Sequence, residues 1–125
     1  MLMGIYSLMQ NKTRVVHFKK EPFDIYIGRP SFWGNPFSCK DGTLAEVKVK
    51  TRGESIDAHW KWLIGESYCD IEQERRLWIL EHIEELRGKI LGCWCDNKRC
   101  HGHNYIKYLY PEPKTIEEFK VKKLF

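Results

Sequence analysis

The sequence predicts an α/β fold, a single small sheet with flanking helices, and three observations support this prediction. At 125 residues and 15.0 kDa the chain is long enough for one compact core. A composition of 42% hydrophobic and 30% charged residues allows that core to form in water. Segments with strand character stand on both sides of segments with helical periodicity. We therefore expect one domain over residues 1–125, with its core between about residues 13 and 110.

Three segments have the composition of β-strands. Residues 13–18 are rich in β-branched and aromatic side chains, and residues 23–28 have a similar character after a break at Pro22. Residues 89–95 form a short apolar run directly after a helical segment, which is typical of a buried strand in an α/β sheet. Residues 47–52 fit either a short strand or a loop.

Three helices are also predicted. Apolar side chains recur at positions i, i+4, i+7 and i+8 before Gly65, at Ile56, Trp60, Leu63 and Ile64. Asp70 is the expected N-cap of a second helix of about four turns, which Gly88 should stop. His101–Leu109 can form the last helix, closed by Pro111.

Charge and composition limit the partners and the compartment. The net charge of +4 mildly favours anionic partners without naming one. No stretch approaches the roughly 20 apolar residues of a membrane span, and the first residues lack the pattern of a secretory signal. Five cysteines are an odd count, and three of them crowd into residues 93–100, unlike the layout of a disulfide-stapled secreted domain. We therefore expect a cytoplasmic protein with free thiols and no membrane partner.

Three thiols and two imidazoles crowd into eleven positions, residues 93–103. One interpretation is a zinc site. Alternate residues of a strand point the same way, so Cys93 and Cys95 should present their sulfurs together, and Cys100 and His103 stand one helical turn apart. Four such ligands would close a tetrahedral structural site, although the spacing is not that of a standard zinc finger.

Two other interpretations of this segment remain open. Cys100 at a helix N-terminus, beside Lys98, Arg99 and His101, has the surroundings that lower a thiol pKa. Either Cys100 or Cys95 could then be the nucleophile of an enzyme that acts on nucleotides or modified bases, with a histidine as its base. Alternatively, the cysteines are small core hydrophobes and the histidines cover a helix.

The loop after the second predicted strand, residues 28–37, is a candidate ligand loop. Such loops bind ligands at strand carboxyl ends in α/β sheets, and this one offers donors and an aromatic ring at Arg29, Ser31, Asn35 and Trp33. Lys98 and Arg99 precede the last helix, whose N-terminus attracts anions, so both loops could meet one nucleotide or nucleic-acid phosphate. The alternative is a rigid aromatic loop that caps the core.

Several blocks of the sequence together resemble a known family. The blocks are IYIGRPS at residues 25–31, WGNPF at 33–37, LRGK at 86–89, and LGCWC at 91–95 followed by CHG at 100–102. They are similar to a small domain found in bacteriophages and some bacteria, classified as domain of unknown function number four thousand three hundred and twenty-six. The resemblance spans residues 14–109. It implies a compact α/β domain, encoded by a phage and acting in the host cytoplasm, and it implies no activity.

The resemblance also marks individual positions. Carried over residue by residue, the family's blocks fall on Arg29, Trp33, Asn35, Cys93, Cys95, Cys100 and His101. His103 departs from the family, which is more often acidic there, so His101 is the other choice for a fourth metal ligand. A third class of function, besides a binding domain and an enzyme, is a host-interaction module in which the loop aromatics dock on a host protein.

Overall fold

The computed structural model describes residues 12–43, 45–95 and 99–112. Five short strands are present in these ranges: β1 (Arg14–His17), β2 (Ile25–Tyr26), β3 (Phe37–Ser38), β4 (Val47–Lys48) and β5 (Ile90–Cys93). The helices are α1 (Arg52–Leu63), α2 (Gln73–His82) and α3 (His101–Leu109), and a 3-10 helix (Ile83–Leu86) continues α2. None of the described helices is long and apolar enough to cross a membrane.

The main sheet has β5 at its centre. Its order is β1-β5-β2 and all three strands are parallel, while β3 and β4 form a separate parallel pair. His17 of β1 is in register with Cys93, and Tyr26 of β2 is in register with Gly92. The carboxyl ends of the three strands therefore lie side by side at one edge of the sheet. The predicted small α/β fold is confirmed.

The predicted start of the second helix was wrong. Helix α2 begins at Gln73 and not after Asp70, and the residue that precedes it, Glu72, has a left-handed backbone with φ 35°. The Ile71 carbonyl accepts hydrogen bonds from the Trp62 indole at 2.7 Å and from the Gln73 amide at 2.9 Å. These side chains use the carbonyl that a helix starting at Asp70 would need. The predicted stop at Gly88, which has φ 76°, follows the 3-10 helix.

A buried polar network connects α1, α3 and the loop before β3. The Asn104 amide donates to His59 Nδ1 at 2.9 Å, so the proton of the neutral ring sits on Nε2, 3.3 Å from the Tyr105 hydroxyl. Tyr105 in turn donates to the Trp33 carbonyl at 2.6 Å. Burial lowers the pKa of His59 well below its usual value, so this ring stays neutral inside the core.

Helix α3 approaches the sheet most closely at Gly102. A Cβ atom at this position would lie 2.6 Å from Ile27 Cδ1 and 2.9 Å from Val15 Cγ2. Glycine therefore allows the first turn of α3 to rest on the sheet. That contact brings the residue before the helix, Cys100, against the end of β5.

Substitution of Gly102 by alanine should destabilise the fold. The added methyl group overpacks the contact between α3 and the sheet, and we expect the free energy of unfolding to fall by about 1 to 3 kcal/mol. Gly53→Ala is the matched control, since the nearest atom to a Cβ in that α1 position is 3.9 Å away. It should stabilise the protein by about 0.5 to 1 kcal/mol. Urea unfolding followed by tryptophan fluorescence measures both, and equal stabilities of the two variants would contradict this account.

Candidate metal centre

Three cysteine side chains meet where β5 ends and α3 begins. Cys93 is the last residue of β5, Cys95 lies two residues beyond it, and Cys100 is the N-cap of α3. Their sulfur atoms all lie within 4.8 Å of one another. Cys93 and Cys100 are each 1% exposed and Cys95 is partly buried. The expectation that these three thiols converge is therefore confirmed.

The backbone around the cluster directs N–H groups toward the sulfurs. The Cys95 N–H donates to the Cys93 sulfur at 3.3 Å, and the Gly102 N–H donates to the Cys100 sulfur at 3.3 Å. Hydrogen bonds of this kind favour the charged form of an acceptor. The cluster is thus suited to thiolates, which are the form of cysteine that binds metal ions and attacks electrophiles.

The spacing of the sulfurs matches a metal site better than a disulfide. The Sγ atoms of Cys93 and Cys100 are 3.5 Å apart, and both cysteines are free thiols. A disulfide would bring them to about 2.05 Å. Zinc holds each sulfur at about 2.3 Å, and the edge of the resulting tetrahedron is therefore roughly 3.8 Å. The separation of the Cys93 and Cys100 sulfurs is close to this edge length, and the Cys95 sulfur lies within 4.8 Å of both.

Arg52 supplies positive charge to the cluster from the first turn of α1. Hydrogen bonds from the thiols of Cys100 and Cys93, together with one from Arg52, lower the pKa of Cys95 to about 2. The pKa of Cys100 is raised, because its thiol is the donor to Cys93 and Cys95 and is buried. Of the three thiols, Cys95 is therefore the one that loses its proton most readily. Sequence reasoning missed Arg52, which lies more than forty positions from any of the three cysteines.

The two histidines near the cluster have other partners. His101 is buried, and its Nε2 atom donates to the Ile27 carbonyl at 2.9 Å. Burial lowers the pKa of His101 to about 4, so its ring is neutral. His103 is exposed, and its Nδ1 atom accepts from the Cys100 N–H at 3.0 Å as part of the cap of α3. Within the described residues the close group of ligand atoms consists of the three sulfurs.

The candidate ligand loop is held by arginine side chains. Arg29 is partly buried, and its guanidinium donates to the carbonyls of Asn35 at 2.9 Å and Phe37 at 3.4 Å. Arg75 of α2 donates to the Phe32 carbonyl at 2.8 Å. The predicted phosphate fork of Arg29 therefore binds the protein's own backbone.

The other predicted loop residues are also turned inward. The Asn35 amide donates to the Ser55 hydroxyl at 2.8 Å, and its oxygen accepts from the Phe37 N–H at 2.9 Å. Trp33 is 7% exposed and packs edge-on against Trp78, which leaves no face of its ring for a base. The Ser31 hydroxyl is buried and has no hydrogen-bond partner in the part of the chain that the structure describes. These contacts are those of a rigid loop that caps the core.

The basic residues before α3 are only partly described. Lys98 lies outside the described residues. Arg99 is exposed and forms an ion pair with Asp57 of α1 at 2.9 Å. Arg52 donates to the Arg99 carbonyl. The guanidinium groups of Arg99 and Arg29 each interact with another group of the protein. These contacts do not support the prediction that Arg99 and the Arg29 loop bind one phosphate together.

Fold and cluster together define a small α/β domain with a three-cysteine centre. A family model described as a domain of unknown function, DUF4326, matches residues 10–110, and the chain belongs to this family. The predicted family is thus confirmed.

The similar proteins come from viruses. An uncharacterized 12.4 kDa protein from the nrdA-td intergenic region of Enterobacteria phage T4 is 34% identical over 116 residues, covering 90% of this chain and 94% of its own. The uncharacterized protein R718 of Acanthamoeba polyphaga mimivirus is 28% identical over 133 residues, covering 92% of this chain and 82% of its own. No solved structure matches the chain significantly.

Cys95 should be the most reactive thiol of the metal-free protein. Because its pKa is lowered, it is already a thiolate at pH 7, and its alkylation by iodoacetamide should be nearly independent of pH between about 6 and 8. Free cysteine, with a pKa of about 8.5, instead reacts faster as the pH rises through this range. Cys100→Ala removes the hydrogen bond that lowers the pKa of Cys95 most, so the alkylation of Cys95 in this variant should become more dependent on pH.

Peptide mass spectrometry after brief labelling identifies the modified cysteine at each pH. Cys39→Ala is the control, since it removes a free cysteine that lies outside the cluster. A Cys95 rate that climbs with pH as steeply as that of free cysteine would show that the cluster does not stabilise its thiolate.

Proposed function

We propose that this protein is a metal-binding domain in which Cys93, Cys95 and Cys100 hold one zinc ion. The observation that carries the proposal is the convergence of three sulfurs within 4.8 Å. Thiolate sulfur selects zinc over magnesium or calcium, which prefer oxygen ligands. A +2 ion would also compensate the negative charge of the thiolate ligands.

A metal ion at this place would stabilise the fold. The ion would connect the end of the central strand β5 to the N-cap of α3. It would also hold together the two ends of the segment between Cys95 and Cys100. Binding free energy at such a site adds directly to folding free energy, because the unfolded chain lacks the preformed arrangement. In a domain of this size one such link contributes a large share of the total stability.

The fourth ligand decides between a structural and a reactive site. Structural zinc sites have four protein ligands, and catalytic sites have three with water or substrate in the remaining position. His101 and His103 stay predictions for the fourth ligand. Each ring already uses one nitrogen, since His103 Nδ1 accepts from the Cys100 N–H and His101 Nε2 donates to the Ile27 carbonyl. A fourth bond to the metal would therefore come from His103 Nε2 or His101 Nδ1.

A cysteine-dependent enzyme is the second candidate, and one observation favours it. Cys95 is partly exposed and its pKa is lowered, which are the properties of a nucleophile. Cys100 suits this role less well than the sequence suggests, because it is 1% exposed and its pKa is raised. His101, the expected base, donates Nε2 to a carbonyl and would act through Nδ1.

Three sequence-based expectations are not part of the proposal. The first is phosphate binding by the loop at Arg29, Ser31, Trp33 and Asn35. These side chains are turned toward the protein, and their contacts do not support phosphate binding. Docking on a host protein and residence in the host cytoplasm also stay predictions, which the viral relatives make reasonable without testing them.

Titration with cobalt should test the metal site. Co²⁺ that replaces zinc at a thiolate site produces an intense sulfur-to-metal charge-transfer absorption, and we expect this band to saturate at one equivalent per chain. Serine at position 93, 95 or 100 should reduce the band and weaken binding at least tenfold. Cys39→Ser and Cys69→Ser are matched controls that change a cysteine outside the cluster and should leave the titration unaltered.

The titration separates the two candidates. A saturating band that zinc then displaces, with slow alkylation of the zinc-loaded protein, supports the metal-binding domain. Absence of the band in wild-type protein that is folded and fully reduced would overturn the proposal and leave the enzyme.

A further inference from the structure

An aromatic cluster lies at the edge where the three parallel strands end. Phe18 directly follows β1, Tyr26 ends β2 and Trp94 directly follows β5; we call these three residues the aromatic edge. The Phe18 N–H donates to the Cys93 carbonyl at 2.9 Å, which continues the register of β1 and β5 by one residue. Carboxyl ends of parallel strands are where open α/β sheets bind their ligands.

The rings of the aromatic edge are fixed although Trp94 is 58% exposed. The Trp94 indole N–H donates to the Tyr26 hydroxyl at 2.8 Å, and this hydroxyl donates to the Arg29 carbonyl at 3.1 Å. The ring centroids of Phe18 and Trp94 are 4.4 Å apart with the planes tilted by 60°. An exposed tryptophan that is oriented in this way presents its ring to a partner at little cost in side-chain entropy.

Lys19 brings a positive charge to this edge. The Lys19 ammonium lies 4.9 Å from the centroid of the Trp94 ring and 5.7 Å from that of Phe18. Glu21 pairs with Arg14 at 3.6 Å, and Asp24 accepts from the Ile90 N–H at 2.8 Å, so both carboxylates are engaged at the opposite end of the sheet, where β1 and β5 begin. The edge thus combines an exposed aromatic ring with a cation that no carboxylate neutralises among the described residues.

We propose that the aromatic edge is a stacking platform for unpaired nucleobases and that its ligand is single-stranded nucleic acid. Proteins that bind single strands without sequence preference place bases on aromatic rings and phosphates beside lysine or arginine. Trp94 supplies the ring and Lys19 the charge, and the chain's net charge of +4 favours a polyanion. A duplex keeps its bases stacked within the helix and so cannot use the platform.

This inference goes beyond the proposed metal site and uses different side chains. It also differs from the predicted phosphate loop, whose Arg29 and Trp33 face inward. Trp94 is adjacent in sequence to two cysteines of the cluster. The cobalt absorption of every variant is therefore recorded first, so that loss of the metal site and loss of the platform are distinguished.

The test uses fluorescence anisotropy of a labelled oligothymidylate of about ten nucleotides, a length within the range that single-strand binding domains cover. Trp94→Ala should weaken binding about tenfold, and Trp94→Phe should keep most of the affinity. Lys19→Ala should weaken binding a few fold and reduce its dependence on salt. Lys107→Ala is the matched control, because the Lys107 ammonium lies 4.2 Å above the ring of Trp60, away from the aromatic edge. It should bind as wild type does.

Each remaining outcome counts against the inference. Wild-type protein that fails to bind the oligonucleotide at low salt overturns it. Equal affinity for a duplex of the same length means that charge alone attracts the nucleic acid. Equal losses in Lys19→Ala and Lys107→Ala would lead to the same conclusion.

Discussion

The meeting of three cysteine sulfurs between the central strand and the last helix is the constraint on which this site depends. Cys93 is buried at the end of β5, and Cys100 begins α3 with its sulfur 3.5 Å away. Helix α3 can reach that position because Gly102 lets its first turn rest on Ile27 and Val15. The position of the Cys100 sulfur in the cluster therefore depends on the packing of α3 on the sheet.

The loop between β2 and β3 packs on the core and is held by hydrogen bonds to its backbone carbonyls. Its carbonyls accept hydrogen bonds from Arg29 and Arg75, and its Trp33 carbonyl accepts from Tyr105 of α3. Arginine is suited to this task, since one guanidinium can satisfy several carbonyls in a fixed geometry. The loop links α2 and α3 to the sheet, and the side chains of Arg29 and Asn35 are engaged in that role. Exposed rings that could meet a ligand include Phe32 of this loop, which is 53% exposed, and Trp94 beyond β5.

Local patterns in the sequence were sufficient for some parts of this structure and insufficient for others. The apolar run at residues 89–95 and the helix after Cys100 were predictable, because composition and capping are local properties. The spacing of Cys93, Cys95 and Cys100 allowed their convergence but also allowed them to be separate core residues, and the structure brings their sulfurs together. The orientation of His101 was not predictable, because its partner, the Ile27 carbonyl, is 74 residues away. The same holds for Arg29, whose partners depend on how the loop folds back on itself.

The position of Arg52 illustrates the same limit. It lies at the start of α1 and stabilises the Cys95 thiolate because α1 packs against α3, whose N-cap is Cys100. The basic residues beside the cysteines in the sequence, Lys98 and Arg99, were the predicted source of positive charge. Of these, Arg99 pairs with Asp57. Charges that tune a site are brought by tertiary packing, which a short motif does not encode.

Native mass spectrometry of the reduced protein measures directly whether the three cysteines hold zinc. We expect a mass that exceeds the sequence mass by one zinc ion per chain under native conditions, and the loss of this excess when the protein is denatured in acid. Native protein at the bare sequence mass after exposure to equimolar zinc would contradict the account, because the three sulfurs would then not form a binding site.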